Sequence, residues 1–149
     1  MANTTLLKTK VEDHVRLWLG TKFGKSFHSV FLSLSRVKGT AAKHEFDAVS
    51  QDEKIVCAIK TASWKTSGGK RGSGKIQGAY SELYFLDHIN AEQRYLVLTN
   101  KLFFDGLSRD TRGKLTEGIG LLYCELPEEL AKEVDKVYDA SSAEQGRQI

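Results

Sequence analysis

The spacing of apolar and polar residues along the chain predicts four helices and five strands. Apolar residues three or four positions apart indicate amphipathic helices, whereas short alternating or continuous apolar runs indicate strands. In chain order these are a helix over residues 5–19, strands over 29–37, 43–50 and 54–62, a helix over 75–89, a strand over 94–99, a helix over 102–115, a strand over 119–126 and a helix after Pro127. Three consecutive strands followed by helical crossovers predict an α/β fold, with helices flanking a mixed sheet.

The length and composition indicate one domain with a single core. Of the 149 residues, 40% are hydrophobic and 28% are charged, which is typical of a globular protein. We expect residues 1–149 to form this domain, with a flexible tail over 141–149. The longest apolar runs are too short for a bilayer, and no secretory signal pattern precedes them, so we expect a cytoplasmic protein without a membrane partner. Cys57 and Cys124 lie in strand-like apolar runs, which predicts reduced core thiols.

Two adjacent predicted strands carry polar residues among apolar ones. Glu45 and Asp47 share one face of the first strand, while Ala58 and Lys60 share one face of the next. If the strands pair as a hairpin, Asp47 and Lys60 can approach each other. A carboxylate can then bind Mg²⁺ and a lysine can orient or deprotonate an attacking water. A surface salt bridge between Asp47 and Lys60 is the alternative.

The spacing D-x10-A-x-K formed by Asp47, Ala58 and Lys60, together with the predicted order of elements, resembles the PD-(D/E)xK nuclease superfamily. This resemblance implies a restriction-endonuclease-like fold and metal-dependent hydrolysis of DNA phosphodiester bonds, with Mg²⁺ as the ion and Mn²⁺ as a substitute. It implies that Asp47 is a metal ligand, that Ile59 offers its carbonyl oxygen, and that Lys60 is the catalytic lysine. Glu12, on the first helix, stands where members often have a glutamate. Small archaeal Holliday-junction resolvases are the most similar subfamily, and such nucleases often act as homodimers.

Ala58 departs from the family pattern, which has an acidic residue at this place. Three explanations are open. The carboxylate can have migrated, to Glu82 on the second predicted helix or to Glu45, which would then join Asp47 as metal ligands. Alternatively, the protein is a catalytically silent DNA-binding domain, or the alanine is an engineered substitution that inactivates a nuclease. From the sequence we favour engineering, because Ala58 interrupts a pattern that is otherwise intact.

The net charge of +3 is unevenly distributed along the chain. Residues 54–75 contain six basic residues and no acidic one, whereas residues 117–144 are mainly acidic. Such segregation predicts a face that binds a polyanion, although ordinary surface lysines are the alternative. Because the basic residues of the loop over 63–74 lie among glycines, we expect this loop to bind DNA phosphates. The candidate DNA-binding residues are Lys65, Lys70, Arg71, Lys75 and Gln77.

The same glycine-rich loop matches most of a P-loop, the phosphate-binding pattern GxxxxGK[ST]. Residues 69–75 fit its first seven places, but Ile76 replaces the hydroxyl residue that would reach Mg²⁺. The first glycine also lies several residues beyond the predicted end of the preceding strand. A P-loop-like nucleotide binder is therefore a third and less favoured hypothesis.

Overall fold

Four helices and five strands form the part of the chain that the computed structural model describes, which is residues 4–61 and 73–147. The elements are α1 (Thr4–Phe23), β1 (Phe27–Ser33), β2 (Lys43–Ser50), β3 (Ile55–Lys60), α2 (Ser73–Asp87), β4 (Gln93–Leu98), α3 (Lys101–Asp110), β5 (Ile119–Tyr123) and α4 (Glu128–Arg147). Their types and order confirm the prediction from the sequence. Helix α4 continues to Arg147, across residues for which the sequence predicts a flexible tail.

The five strands form one mixed sheet in the order β1-β2-β3-β4-β5. The first three strands are antiparallel neighbours, whereas β3, β4 and β5 are parallel. Parallel neighbours need a crossover, which α2 supplies between β3 and β4 and α3 supplies between β4 and β5. Strand β3 lies at the centre, and residues 55–59 are buried, which agrees with their continuous apolar sequence.

Helices cover both faces of the sheet, so the described residues form three layers. Helices α2 and α3 pack on one face, where Val56 and Ala58 of β3 join the core. Helices α1 and α4 pack on the other face against Cys57 and Ile59. This alternation along β3 confirms the predicted division of its side chains. The protein has an α/β fold with a five-stranded mixed sheet.

Both cysteines are buried and free, as the sequence predicts. Burial raises the pKa of the Cys57 thiol to about 12 and that of the Cys124 thiol to about 11. Neither thiol is therefore a ready nucleophile, since the reactive form is the thiolate. Within the described ranges, no helix combines the length and the apolar composition that a membrane span needs.

Two elements, β1 and α3, end four or more residues earlier than the sequence predicts. Strand β1 stops at Ser33, before Arg36, which has a positive φ of 55° that a strand does not accommodate. Helix α3 stops at Asp110, and the chain turns through Gly113 with a φ of 74°. Apolar spacing does not reveal these ends because the residues beyond them still pack against the core.

Candidate metal site at the β2–β3 fork

A β-bulge in β2 determines where Asp47 lies. Pairing with β1 changes register at this point, so that the single residue Ser29 faces both Asp47 and Ala48. A bulge bends its strand and redirects a side chain, and bulges are frequent beside active sites. Arg16 of α1 donates a hydrogen bond from Nε to the Asp47 carbonyl oxygen at 2.8 Å. This contact holds the bulge against α1.

The strands β2 and β3 separate immediately beyond the bulge. Their backbones pair at Ala48 and Val49, and the preceding residue is Asp47. At Asp47 a side-chain hydrogen bond replaces the backbone pairing, since the Asp47 Oδ2 accepts from the Ile59 amide at 2.8 Å. The carboxylate therefore lies in the opening between the strands. We call this place the β2–β3 fork, which comprises Asp47, Ala58, Ile59 and Lys60.

The Lys60 side chain lies on the face of the sheet that carries α2. Lys60 follows Ala58 by two residues, so the two side chains share this face. The Lys60 Nζ lies 3.2 Å from the position that a Cβ on Gly78 of α2 would occupy. Asp47 lies between Phe46, which belongs to the α2 face, and Ala48, which belongs to the α1 face, and its carboxylate turns into the fork. No salt bridge joins Asp47 to Lys60, both of which lie in the described part of the chain.

Carboxylates from three elements influence one another around the fork. Burial raises the pKa of Asp47, the hydrogen bond from Ile59 opposes this rise, and the negative charge of Glu82 on α2 adds to it. Burial likewise raises the pKa of Glu12 on α1, followed by the charges of Asp47 and, more weakly, Glu45. Carboxylates of α1, β2 and α2 are therefore electrostatically coupled near Asp47. The positive charges of Lys8 and Arg16 act in the opposite direction and lower the pKa of both Asp47 and Glu12.

Among residues 5–61 and 74–137, no three His, Cys, Asp or Glu side chains are close enough together to hold a metal ion by themselves. A structural zinc ion needs four protein ligands, whereas Mg²⁺ commonly takes one or two carboxylates and completes its shell with water and substrate phosphates. Asp47 is the one carboxylate among the four residues of the fork.

Glu82 lies on the side of α2 that faces the fork. It follows Gly78 by four residues, so the two share one side of the helix. Its Oε2 lies 3.3 Å from Nε2 of His44 on β2, and its side chain is only 22% exposed. Glu45, the other candidate for a migrated carboxylate, is exposed. The negative charge of Glu82 raises the pKa of Asp47, so Glu82 lies in the surroundings of Asp47.

Ala58 is fully buried in the core between the sheet and α2. It pairs with Leu96 of β4 and belongs to the same apolar cluster as Ala79. A carboxylate at position 58 would begin among apolar side chains, and it would have to reach the fork to escape the cost of burying an unpaired charge. The alanine fits its surroundings as they are.

Three of the five candidate DNA-binding residues, Lys65, Lys70 and Arg71, lie outside the described residues. The other two lie in the first turns of α2, where Lys75 is half-buried and Gln77 is exposed. Lys75 precedes Gly78 by three residues, so it shares the side of α2 that faces the fork. Most of the P-loop-like segment also lies outside the described residues, although the Ile76 side chain is buried in the core.

Two residues near the fork are not among the site residues that the sequence predicts. Arg16 contacts the Asp47 carbonyl, and His44 contacts Glu82. The signals were weak but present, since Arg16 follows Glu12 by one helical turn and His44 lies on the same strand face as Phe46.

Comparisons of the chain with protein-family models, with curated proteins and with solved structures found no match.

Proposed function

We propose that this chain is a metal-dependent DNA endonuclease of the PD-(D/E)xK type, in which Glu82 takes the role of the acidic residue missing at position 58. The observation that carries the proposal is the position of the Asp47 carboxylate. It is held at a strand fork by the Ile59 amide, and it is electrostatically coupled to Glu82, beside the strand that ends in Lys60. The element order and the mixed sheet are compatible with a restriction-endonuclease-like fold.

The donor set at the fork suits Mg²⁺. Asp47 and Glu82 would hold the ion, with the Ile59 carbonyl as a further oxygen donor, and Mn²⁺ would substitute. Both carboxylates are partly withdrawn from water, and the charge of Glu82 raises the pKa of Asp47. A divalent cation between them would remove this repulsion. When bound, the ion would make its water more acidic and stabilise negative charge on the phosphate.

Lys60 and Arg16 have separate tasks in this proposal. The Lys60 ammonium, at the end of β3, orients the attacking water and offsets the charge that develops on the phosphate oxygens. Water attacks phosphorus in line, the bond to the leaving oxygen breaks, and that oxygen takes up a proton. Arg16 stays outside the chemistry. It joins the Asp47 carbonyl to Glu12 and Asp13 of α1, at 2.8, 3.4 and 2.9 Å respectively, and so positions the bulge.

The DNA partner is proposed from charge. Lys65, Lys70, Arg71 and Lys75 would contact backbone phosphates, with Gln77 beside them, and would supply affinity that depends on salt rather than on sequence. A homodimer, in which each subunit cuts one strand, is the assembly that the family resemblance implies.

A plasmid-nicking assay with Mg²⁺ or Mn²⁺ tests the proposal. The wild-type protein should nick, and Asp47→Asn, Lys60→Ala and Glu82→Gln should each lower the rate by about 100-fold or more. Glu45→Gln is the matched control, because Glu45 is an exposed acid on the same strand as Asp47, and it should leave the rate unchanged. Equal loss in Glu45→Gln and Glu82→Gln would contradict the role given to Glu82.

A catalytically silent DNA-binding domain is the second candidate. It is favoured by the complete burial of Ala58 and by the lack of a third acid close to Asp47 among the described residues. Ala58→Glu separates the two candidates. Nicking by both forms supports a migrated carboxylate, nicking only by the variant indicates a lost ligand, and salt-sensitive DNA binding without nicking by either form indicates a silent domain. A nucleotide binder would instead show stabilisation by ATP that disappears in Lys75→Ala.

A further inference from the structure

His44 lies on β2 beside α2 and has a defined partner there. It is three residues before Asp47 on β2, and its side chain points to the same face as Phe46, toward α2. Its Nε2 lies 3.3 Å from Oε2 of Glu82, and both side chains are largely buried, at 23% and 22% exposure. Among the described residues, this is the only hydrogen bond or ion pair that the Glu82 side chain makes.

Aromatic neighbours fix the plane of the His44 ring. The ring stacks on Phe85 of α2 with a centroid distance of 4.0 Å and an interplanar angle of 18°. Phe46 packs against it edge-on at 4.8 Å and 74°. With the ring clamped on two sides, Nε2 occupies one place, and it donates to Glu82 in the tautomer that carries its proton on that nitrogen.

A partner of this kind can prepare a glutamate to serve as a ligand. A free glutamate side chain loses rotamer freedom when it is ordered. A hydrogen bond to one carboxylate oxygen restricts the side chain before the ion arrives and leaves the other oxygen available. Residues that orient a metal ligand in this way typically change metal affinity or activity by about 10–100-fold when they are removed.

We propose that His44 is a positioning residue that holds the Glu82 carboxylate toward the β2–β3 fork and thereby tightens metal binding; this inference rests on the proposed function. His44 touches neither the phosphate nor the reacting water. Its removal should weaken the binding of the ion, while the rate at saturating metal should change much less.

Variants at position 44 can separate the hydrogen bond from the packing. His44→Phe keeps the aromatic stack and loses the donor. His44→Gln places an amide nitrogen near the position of Nε2, whereas the shorter His44→Asn does not reach it. Affinity for Mn²⁺ is measured by titration calorimetry on the full chain, and the Mg²⁺ dependence of nicking separates the metal requirement from the maximal rate.

We expect His44→Phe and His44→Asn to weaken Mn²⁺ binding by about tenfold, and His44→Gln to recover most of the loss. The double variant with Glu82→Gln should bind no more weakly than Glu82→Gln alone, since His44 acts through Glu82. Wild-type affinity in both His44→Phe and His44→Asn, or additive losses in the double variant, would overturn the inference.

Asp47→Asn shows which of the two proposals fails. If Mn²⁺ binds to the wild type, is lost in Asp47→Asn and is unchanged in the His44 variants, the metal site stands and the role of His44 does not. If the wild type and Asp47→Asn both fail to bind Mn²⁺ and to nick DNA, the proposed nuclease function falls, and the inference about His44 falls with it.

Discussion

Lys60 and Gly78 approach each other so closely that a side chain at position 78 would meet the lysine ammonium. The Lys60 Nζ lies 3.2 Å from the point at which a Cβ on Gly78 would stand, which is closer than an ordinary van der Waals contact. Gly78 is inside α2, where glycine is unfavourable relative to alanine. The glycine therefore leaves room for the end of Lys60 beside the helix.

Gly78→Ala should displace the Lys60 ammonium and lower the nicking rate by about tenfold, since a displacement of about 1 Å can lower a rate by about 100-fold. Gly74→Ala is the matched control, because Gly74 lies in the same helix and has nothing within 4 Å of its added Cβ. Both changes should favour the helix by about 0.5–1 kcal/mol. Equal nicking rates for the two variants would contradict the role given to this contact.

Asp47→Asn should stabilise the protein at neutral pH in the absence of metal. The pKa of Asp47 is raised in the folded state by burial, so the favourable contribution of its protonated form is full below the ordinary value of 3.8 and is lost as the pH rises through the folded value. Asparagine keeps an oxygen that can accept from the Ile59 amide and carries no charge. Chemical denaturation at pH 7 and at pH 3 checks this, since the difference from the wild type should disappear at the lower pH.

Magnesium provides the complementary measurement on the same pair of proteins. A ligand that binds only the folded state at about ten times its Kd adds about 1.4 kcal/mol to the free energy of unfolding. The wild type should gain this amount, and Asp47→Asn should not. A matching gain in both proteins would place the bound ion elsewhere.

Asp52 should show the opposite dependence on pH. It lies in the turn between β2 and β3, where the Lys25 ammonium at 2.6 Å, the Ser50 hydroxyl at 2.7 Å and the Lys54 amide at 3.1 Å hold its pKa well below its usual range. The ionised Asp52 carboxylate therefore stabilises the folded state above the ordinary pKa of 3.8. This stabilisation is lost as the pH falls through the lowered pKa of the folded state. Asp52→Asn should therefore lower the urea midpoint at pH 7, and the deficit should shrink in strongly acidic solution. A deficit that grows with falling pH would disprove this assignment.

Arg16→Ala should lower the free energy of unfolding by about 1–3 kcal/mol, because it removes a partly buried hydrogen-bond donor from the Asp47 carbonyl at the bulge. Arg16→Lys should recover only part of this loss, since an ammonium lacks the planar fork of the guanidinium. Arg112 is exposed and provides the control. Arg112→Ala should leave the free energy of unfolding within about 0.5 kcal/mol of the wild-type value.

Replacing Lys70, Arg71 and Lys75 together by alanine should weaken DNA binding equally for all sequences. Each lost phosphate contact should also reduce the slope of log affinity against log salt by about 1. Lys132 on α4 is the control, because it is exposed beside Glu128 in the acidic part of the chain. A sequence-dependent loss, or the same loss in Lys132→Ala, would contradict the proposed phosphate contacts.

The order of the elements and the two faces of β3 are properties of the chain itself. Apolar spacing predicts every helix and strand in sequence order, and strand alternation separates Ala58 from Cys57 and Ile59 before any packing is known. These features repeat every two residues or every three to four residues, so they depend on neighbours along the chain. The buried, unreactive thiols follow from the same local pattern.

The geometry around the fork depends on contacts between residues that are far apart in sequence. The bulge at Asp47 arises from the register between β1 and β2, and no local periodicity specifies that register. The approach of Glu82 to His44 and of Gly78 to Lys60 depends on how α2 packs after crossing to the sheet. From the sequence, Ala58 stands where the family pattern has an acidic residue, which indicates a lost metal ligand. The packing of α1 and α2 on the sheet brings the charges of Glu12 and Glu82 toward Asp47, because helix position and strand register are set jointly by the whole core.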